Sequence, residues 1–345
     1  MGQIQQYFKQ VILIASLFFC NSVFAESQPN DAHDDPFNPG DIITHHIGDS
    51  HGWHFATVDE EHYTIPLPII IYSQEKGVEL FSSSRIAHGH TYQGYKLDSH
   101  DHITALDPNL KFYDLSITKN AASLMFSAVL LLSIFISIAN NYKNNPNKAP
   151  KGIQSFFEPI IMYVRDDIAK TVIGPKYEKY LPYLLTIFFF IWFNNLLGLF
   201  PGGANLTGNI AITLFLALMT FLITNFSGNK YYWSHIFNTP GVPLLLKPLI
   251  VPIEIVGLFT KPFSLMVRLF ANITAGHIII LSLVSLIFIF KHVAASLISL
   301  PFAVFMTFLE LFVALLQAYI FTLLTAMYIA SAIEEHAHPD HDMGH

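Results

Sequence analysis

The stretch KPFSLMVRLFANITAGH, residues 261–277, places a permanently charged guanidinium inside an apolar helix. No formal charge follows Arg268 until Lys291. An arginine at bilayer depth costs about 2.5–3.5 kcal/mol on insertion scales, so such residues are rare and usually functional. Arg268 is therefore the first residue to explain.

The composition predicts a polytopic membrane protein. The chain of 345 residues is 52% hydrophobic and 12% charged, and its mean hydropathy is +0.44. No Asp, Glu, Lys or Arg lies between Leu181 and Asn229. The net charge of −7 gives no indication of nucleic-acid binding. Neither a P-loop nor a dinucleotide-binding glycine motif is present, so we expect no bound nucleotide and no cofactor.

The first 25 residues have the layout of a secretory signal peptide. Lys9 precedes an apolar run from Val11 to Phe19, and we expect cleavage after Ala25. A retained first anchor is the alternative, but the apolar run is short for a span. Cys20 is the only cysteine, so no disulfide framework is available.

Residues 26–120 predict a small β-rich module outside the cytoplasm. Residues 63–72, 78–81 and 110–117 have the composition of short strands among turns. The module is rich in histidine, which raises the alternative of a metal site. Because no helix or hairpin fixes a ligand spacing, we favour exposed or singly hydrogen-bonded histidines and expect no metal. The histidines concerned include His45, His46, His51, His54, His88, His90, His100 and His102.

Residues 121–142 form the first full-length apolar helix, and lysines follow it at once. Because cytoplasmic loops carry excess lysine and arginine, this end is predicted to be cytoplasmic and the N-terminal module to lie on the far side. Residues 153–172 repeat apolar groups at helical spacing, which favours an amphipathic helix on the membrane surface. Residues 181–200 and 207–226 are two further spans joined by a tight turn.

The remaining apolar sequence predicts one broken and two long segments. Residues 227–239 are expected to be a loop, and residues 242–259, interrupted by three prolines, a kinked or re-entrant segment. Residues 262–290 and 294–333 are too long for a core of about 30 Å, so they must tilt, bend or project out.

The predicted fold class is therefore an all-α polytopic membrane protein with a small β-rich N-terminal extracytoplasmic module. We expect about five membrane-embedded helices plus a surface amphipathic helix, the last two spans being long and strongly tilted. The expected organisation is a signal peptide (1–25), a histidine-rich module (26–120), a membrane domain (121–333) and a polar histidine-rich tail (334–345).

Few ionisable or amide groups lie in the last two helices. Arg268 and Asn272 are four residues apart and share a face, whereas about 900° of helical rotation turns His277 to the opposite side. Glu310 and Gln317 share a face of the last helix. A buried carboxylate needs a partner or a water-filled cleft, and His277 is the uncommitted titratable candidate. We therefore predict that Glu310 and His277 are neighbours that relay protons.

Three other polar residues have two interpretations each. Asn194 and Asn195 lie inside a span, where interhelical hydrogen bonding is at least as good an explanation as contact with a water path. Glu254 is either an interfacial carboxylate or a member of an ion path.

The pattern Lys261–Pro262, Ser264–Leu265, Arg268–Leu269–Phe270, Asn272 and Ala275–Gly276–His277 resembles the signature of subunit a of the F-type ATP synthase membrane sector. Residues 194–201 and the run from Glu310 to Phe321 match it too. The resemblance covers approximately residues 121–335. The N-terminal module is similar to the long extension of some bacterial members.

The resemblance implies a role for each matching position. Arg268 corresponds to the stator arginine that faces the rotor ring, and Asn272 and Gln317 to its polar neighbours. His277 and Glu310 occupy paired positions where other bacterial members often have a glutamate and a histidine. Glu254 matches a further acidic position, whereas Gly198 stands where some members carry an acidic residue.

The resemblance also implies a function, partners and a location. The chain would be a static proton-channel subunit without a catalytic site of its own, providing two half-channels and coupling proton transport to ATP synthesis. Its partners would be the rotor c-ring, the peripheral-stalk subunit b, the rest of the ATP synthase complex and membrane lipid. It would lie in the bacterial inner membrane with the N-terminal module in the periplasm and the C-terminus in the cytoplasm. A self-contained secondary transporter is the alternative, although the first three helices do not resemble the long last pair.

Overall fold

The computed structural model describes residues 40, 48–58, 61–98, 101–107, 110–144, 149–200, 203–238, 243, 245–290 and 293–334. The predicted signal peptide, Cys20 and nearly all of the tail lie outside these residues. His45, His46 and His100 also lie outside them.

The N-terminal part folds into small antiparallel sheets. Strand β1 pairs with β2, β3 lies between β4 and β7, and β5 pairs with β6. The bounds are β1 Gly52–Val58, β2 Glu61–Pro66, β3 Pro68–Ser73, β4 Gly77–Ser82, β5 Tyr95–Leu97, β6 Ile103–Ala105 and β7 Phe112–Asp114. The prediction of a β-rich module is confirmed.

The predicted strand bounds need two corrections. Residues 63–72 were expected to form one strand but contribute to two, because the backbone N–H of Leu67 donates to Ser83 Oγ instead of to a neighbouring strand. A proline stands on each side of Leu67 and lacks an N–H, which favours the break. Within residues 110–117, only Phe112–Asp114 is a strand.

Helices make up the rest of the described chain. Their bounds are α1 Lys119–Asn144, α2 Ile153–Tyr163, α3 Tyr177–Leu199, α4 Ile210–Ser227, α5 Lys230–Phe237, α6 Lys247–Phe290 and α7 Val293–Ile333. Five stretches of the described residues are long and apolar enough to cross a membrane: Lys119–Asn144, Ile153–Leu199, Ile210–Ser227, Lys247–Ile287 and Ser296–Ile333. The predicted number of spans is thus confirmed.

The expected amphipathic helix is present over residues 153–173. After α2 the chain continues as a π-helical segment, Val164–Lys170, and one further helical turn. Phe157, Val164 and Ile168 are buried while Asp167 and Lys170 are exposed, as an amphipathic helix requires. The placement of this helix on the membrane surface stays a prediction.

One expectation for residues 227–259 is wrong: the expected loop contains the short helix α5. Residues 247–259, expected to belong to a separate kinked or re-entrant segment, join the following span in α6, which is 44 residues long. A kink at their prolines stays a prediction. Pro248 lies in the first turn, where backbone N–H groups lack helical partners in any case. Pro252 and Pro262 each remove one backbone hydrogen bond, and the many remaining bonds of the helix persist.

The chain forms two compact units. The first comprises Met1–Phe126, Leu196–Leu206 and Ala275–Glu310, and the second Ser127–Asn195, Thr207–Thr274 and Leu311–His345. The first unit has a core beneath the β4-β3-β7 sheet, formed by Ile69, Ile71, Phe81, Ile86, Tyr95 and Ile103. The second has an extensive aliphatic and aromatic core that includes Leu184, Phe188, Leu265, Leu269 and Ile329.

Candidate functional site

The first unit holds a hydrogen-bonded histidine–glutamate pair between two spanning helices. His277 Nδ1 of α6 is hydrogen-bonded to Glu310 Oε1 of α7. The side chain of Glu310 is 4% exposed and that of His277 15%. Because a buried carboxylate is tolerated when it is paired and hydrogen-bonded, the imidazole explains how Glu310 can lie in an apolar helix. The predicted proximity of these residues is confirmed, and their role in proton transfer stays a prediction.

The second ring nitrogen of His277 faces a backbone carbonyl. His277 Nε2 lies 3.2 Å from the carbonyl oxygen of Gly198 in α3. A carbonyl oxygen only accepts hydrogen bonds, so Nε2 carries a proton in this arrangement. Nδ1 is therefore the nitrogen that faces Glu310. In addition to the proton on Nε2, this hydrogen bond needs one proton, carried either by Nδ1 or by Oε1.

The missing side chain of Gly276 makes room for the carboxyl group. A Cβ at this position would lie 2.9 Å from Glu310 Oε1 and 3.1 Å from Glu310 Cδ. The other carboxyl oxygen, Glu310 Oε2, is buried and has no hydrogen-bond partner among the described residues. The carboxyl group is thus held on one oxygen, and the second is available to accept or release a proton.

Gly198 and Gly276 contribute to this site in ways that sequence reasoning missed. The position of Gly276 directly before His277 could have pointed to it. The approach of Glu310 to the same helical turn could not be predicted, because it depends on how α7 packs on α6. Gly198 acts through its backbone, so its residue type carries no direct signal for this contact.

The second unit carries Arg268, which has no carboxylate partner among the described residues. Arg268 is half-buried on α6, and Asn272, one turn further on, is exposed. No ion pair or hydrogen bond of the Arg268 side chain is found within the described ranges. Gln317 on α7 is 3% exposed. The expected approach of Gln317 to Arg268 stays a prediction.

The two asparagines of α3 have different surroundings. Asn195 Nδ2 donates to the carbonyl of Ala314 at 3.3 Å, and Asn195 Oδ1 accepts from Thr207 Oγ1 at 2.6 Å. These bonds favour the interhelical role for Asn195. Asn194 Nδ2 donates to the carbonyl of Phe190 at 2.7 Å. Asn194 Oδ1 is buried without a partner among the described residues, which leaves it open to a water molecule.

A small recess with several polar side chains in its lining lies between helices of the second unit; its volume of about 10 Å³ is close to what one water molecule needs. Thr224 Oγ1, which lines it, is buried and lacks a hydrogen-bond partner among the described residues. Lys261 Nζ lies 5.5 Å from the centre of the Tyr328 ring. Burial raises the pKa of Tyr232, which also lines the recess. The remaining lining residues are Thr220, Phe221, Asn225, Leu258 and Pro262.

Glu254 is half-buried and lies four residues before Leu258 of the recess, thus on the same face of α6. Of its two interpretations, membership of a polar path therefore gains support. Its role stays a prediction.

The described part of the chain contains no group of three or more metal-ligating side chains. His51, a buried histidine of the module, makes a polar contact through each of its ring nitrogens. Its Nδ1 lies 2.8 Å from the carbonyl oxygen of Asp101, and its Nε2 lies 3.3 Å from Asp114 Oδ2. These contacts match a structural role for His51.

Comparison with known proteins gives matches for both parts of the chain. The family model "ATP synthase A chain" matches residues 122–330. A domain of unknown function (DUF8433) matches residues 42–124.

Several curated relatives are similar over most of the chain. The chain is 49% identical over 241 residues to "ATP synthase subunit a" of Chlorobium phaeobacteroides, covering 67% of this chain and 69% of the relative. It is 41% identical over 300 residues to "ATP synthase subunit a 2" of Chlorobium luteolum, covering 85% and 75% respectively. It is 43% identical over 240 residues to "ATP synthase subunit a" of Myxococcus xanthus, covering 67% of this chain and 78% of the relative.

The fold and the ion pair within its helices define a multi-pass α-helical membrane protein with ionisable groups inside its spans. Such groups mark ion pathways in membrane proteins. The chain belongs to the ATP synthase A chain family, that is, to subunit a of F-type ATP synthases.

Proposed function

We propose that this chain is the static subunit of a rotary F-type ATP synthase, in which two half-channels carry protons to and from a rotor c-ring. The hydrogen-bonded pair of His277 and Glu310 inside two spanning helices is the observation that carries this proposal. Family membership supports it and leaves the alternative of a self-contained secondary transporter without a supporting observation. ATP chemistry would belong to other subunits of the complex.

The His277–Glu310 pair serves as the proton-loading site of one half-channel. A proton that arrives from water binds Glu310 Oε2, the oxygen without a partner among the described residues. As it binds, the proton already shared in the bond between Glu310 Oε1 and His277 Nδ1 moves onto Nδ1, which needs no rearrangement because the two atoms are hydrogen-bonded. The bond between His277 Nε2 and Gly198 holds the ring in place during the transfer.

Arg268 serves as the charge that faces the ring. It supplies a fixed positive charge, because an arginine side chain keeps its proton in proteins, and no described carboxylate pairs with it. A passing ring carboxylate supplies the missing counter-charge and is favoured in its ionised form. The fixed cation also prevents protons from passing directly between the half-channels. Asn272 and Gln317 would orient the guanidinium and the carboxylate.

The polar recess of the second unit serves as part of the other half-channel. Its hydroxyl and amide groups can hold water, and Thr224 Oγ1 is buried and lacks a described partner there. Glu254, on the same helix face, would exchange protons with that water. Asn194 is a further candidate for water contact, whereas Asn195 stabilises helix packing.

Charge supports an orientation. The lysines after α1 favour the cytoplasm for that end, which would put the N-terminal module in the periplasm of a bacterial inner membrane. Subunit b of the peripheral stalk would hold the chain fixed against the ring. The residues before Glu26 would act as a signal peptide, residues 121–333 as the channel domain, and residues 334–345 as a solvated tail.

The test is ATP-driven proton pumping by inverted membrane vesicles. A complex with His277→Ala and Glu310→Ala together should assemble in normal amount and lose most of its proton flux. Pumping at the wild-type rate per assembled complex would contradict the proposal.

A further inference from the structure

The β4-β3-β7 sheet of the N-terminal module is apolar on both faces. Side chains alternate between the faces of a strand, and one face packs on the core through Ile69, Ile71 and Phe81. The other face carries Ile70 and Tyr72 of β3, Val78 and Leu80 of β4, Tyr113 of β7 and Leu115 directly after it. We call this second set of six residues the outer apolar face.

The strand register joins these side chains into one patch. Ile70 lies opposite Leu80, and the backbone N–H of Leu115 donates to the carbonyl of Ile70 at 2.9 Å. Tyr72 lies between Val78 and Tyr113. The six side chains thus form two rows of three across the sheet.

The patch is exposed in the described part of the chain. Val78 and Leu80 are each 69% exposed, Tyr113 65% and Leu115 62%. Contiguous apolar surface of this kind marks an interaction site rather than ordinary surface.

The charged residues of these strands point to the opposite face. Glu79 of β4 accepts a hydrogen bond from the Tyr95 hydroxyl at 2.8 Å, and Asp114 of β7 contacts His51. Both carboxylates are therefore directed away from the outer apolar face. The outer apolar face carries no formal charge, which suits a hydrocarbon partner and offers no ionic contact to a polar one.

The patch is held close to a membrane-spanning helix. Leu115 is four residues before Lys119, the first residue of α1, a separation of at most about 14 Å. The connection is fixed by backbone bonds: Lys119 N–H donates to Ser50 O at 2.8 Å and Ile117 N–H to Pro68 O at 3.2 Å. Asn120 N–H donates to Asp49 Oδ1 at 3.0 Å. The module is thus fastened to the beginning of α1.

Helix α1 is long enough to place this junction at the bilayer surface. Its 26 residues span about 39 Å, more than the roughly 30 Å of a hydrocarbon core. Leu124, Met125 and Phe126, in the second turn of α1, are exposed in the same unit. Exposed apolar side chains therefore occur both on the sheet, up to Leu115, and in the second turn of α1, from Leu124 onward.

We propose that the outer apolar face lies on the lipid bilayer, at the boundary between headgroups and acyl chains beside α1. The aliphatic side chains enter the acyl region, and the tyrosine hydroxyls of Tyr72 and Tyr113 stay among the headgroups, where tyrosine is enriched in membrane proteins. The module thus acts as a second membrane contact of the chain, independent of its role in proton transport.

The proposal can be tested by depth-dependent fluorescence quenching. Leu80→Cys, Tyr113→Cys and, as a matched control, Lys96→Cys are made in a Cys20→Ser background of the full chain. Lys96 is an exposed residue of β5 outside the outer apolar face. Each cysteine carries an environment-sensitive fluorophore, and the chain is reconstituted with its co-purifying subunits into phosphatidylcholine vesicles. Brominated lipid probes contact with acyl chains, and aqueous iodide probes contact with water.

Labels at positions 80 and 113 should be quenched by brominated lipid and be severalfold less sensitive to iodide than the label at position 96. Leu80→Glu should raise the iodide sensitivity of the label at 113 severalfold, whereas Ser84→Glu, an exposed site after β4, should not. Equal iodide sensitivity at all three labels would show a water-exposed face and overturn the proposal. Protection from both quenchers would also overturn it, because a protein surface would then cover the face.

Discussion

His277 and Glu310 are 33 residues apart in the chain, and their side chains meet between two helices through Nδ1 and Oε1. The remaining imidazole nitrogen is held by the Gly198 carbonyl, and the remaining carboxyl oxygen has no partner in the described residues. The two ends of the pair are therefore unequal. A proton can bind to or leave the buried Glu310 Oε2 without breaking a described hydrogen bond, whereas release from Nε2 requires the imidazole to break its backbone bond.

Glu310→Gln should impair proton flux more than assembly. Glutamine keeps the size of the side chain and a hydrogen bond to His277, but it cannot bind and release the proton. We expect ATP-driven pumping to fall by about 10²-fold, the usual contribution of a positioned acid or base. Vesicle pumping per assembled complex measures the effect. Glu310→Asp, which retains a carboxyl group, should recover part of the flux, and equal rates for both variants would contradict a titrating role.

Gly276→Ala should disturb the pair without removing either partner. The added Cβ would lie 2.9 Å from Glu310 Oε1, closer than carbon and oxygen approach, so the carboxyl group must move away from His277. We expect a loss of proton flux of about tenfold or more, since small displacements of a proton donor are costly. Gly257→Ala on the same helix is the control, because its Cβ would meet no atom within 4 Å. A similar loss in both variants would indicate a general effect on the helix instead.

Arg268→Lys should abolish coupled ATP synthesis while the complex still assembles. Lysine keeps a positive charge but loses the planar, delocalised cation, and it sheds its proton more readily when desolvated. Arg268→Ala should in addition open a passive proton leak. ATP synthesis and proton leakage by vesicles with equal complex content are the measurements. Wild-type synthesis with lysine at position 268 would show that this residue is not the ring-facing gate.

Thr224→Leu should obstruct the polar recess of the second unit. Leucine fills the space and removes the hydroxyl that has no described partner. If water in this recess carries protons, flux should fall severalfold in both pumping and synthesis. Thr224→Ser keeps the hydroxyl and is expected to retain most of the flux. Unchanged flux in the leucine variant would remove the recess from the proposed path.

The N-terminal module should lose stability at alkaline pH through Tyr95. Burial and the hydrogen bond to Glu79 raise the pKa of Tyr95 above its ordinary value of 10.0. The folded state thus favours the protonated phenol, so this contribution is fully present below pH 10 and is lost as the pH rises through the higher folded pKa. Limited proteolysis of the full chain between pH 8 and pH 11 should show faster cleavage of the module at the alkaline end.

Tyr95→Phe should weaken this alkaline effect while lowering stability at pH 8 by about 1 kcal/mol, the net value of one hydrogen bond. The exposed Tyr113→Phe serves as the matched control and should behave as the wild type. An unchanged pH profile in Tyr95→Phe would assign the alkaline transition to another group.

Apolar periodicity predicted the spans because helix length and burial in lipid constrain composition strongly. The same reasoning predicted a separate kinked or re-entrant segment at residues 242–259, whereas the residues from Lys247 onward join the following span. Proline removes single hydrogen bonds, and whether a helix continues past one depends on the packing of its neighbours, which no local pattern contains. The short helix α5 was missed for a related reason: its eight residues, KYYWSHIF, bury only Tyr232 and Ile236.

The contact between Glu310 and His277 was predictable because the last two helices contain very few ionisable side chains. Glu310 was the lone carboxylate of its helix and His277 the available imidazole, so pairing followed from the cost of an isolated buried charge. The backbone contribution of Gly198 and the space left by Gly276 depend on how three helices approach one another. Residue types alone do not encode such distances.

The pairing of His277 with Glu310 also constrains how this site can evolve. If relatives hold the same two groups exchanged between the helices, no single substitution converts one arrangement into the other. Changing His277 to glutamate first would place two carboxylates side by side, and changing Glu310 to histidine first would remove the acid. Evolution from one form to the other therefore needs either a third residue that keeps the intermediate functional or both substitutions at the same time.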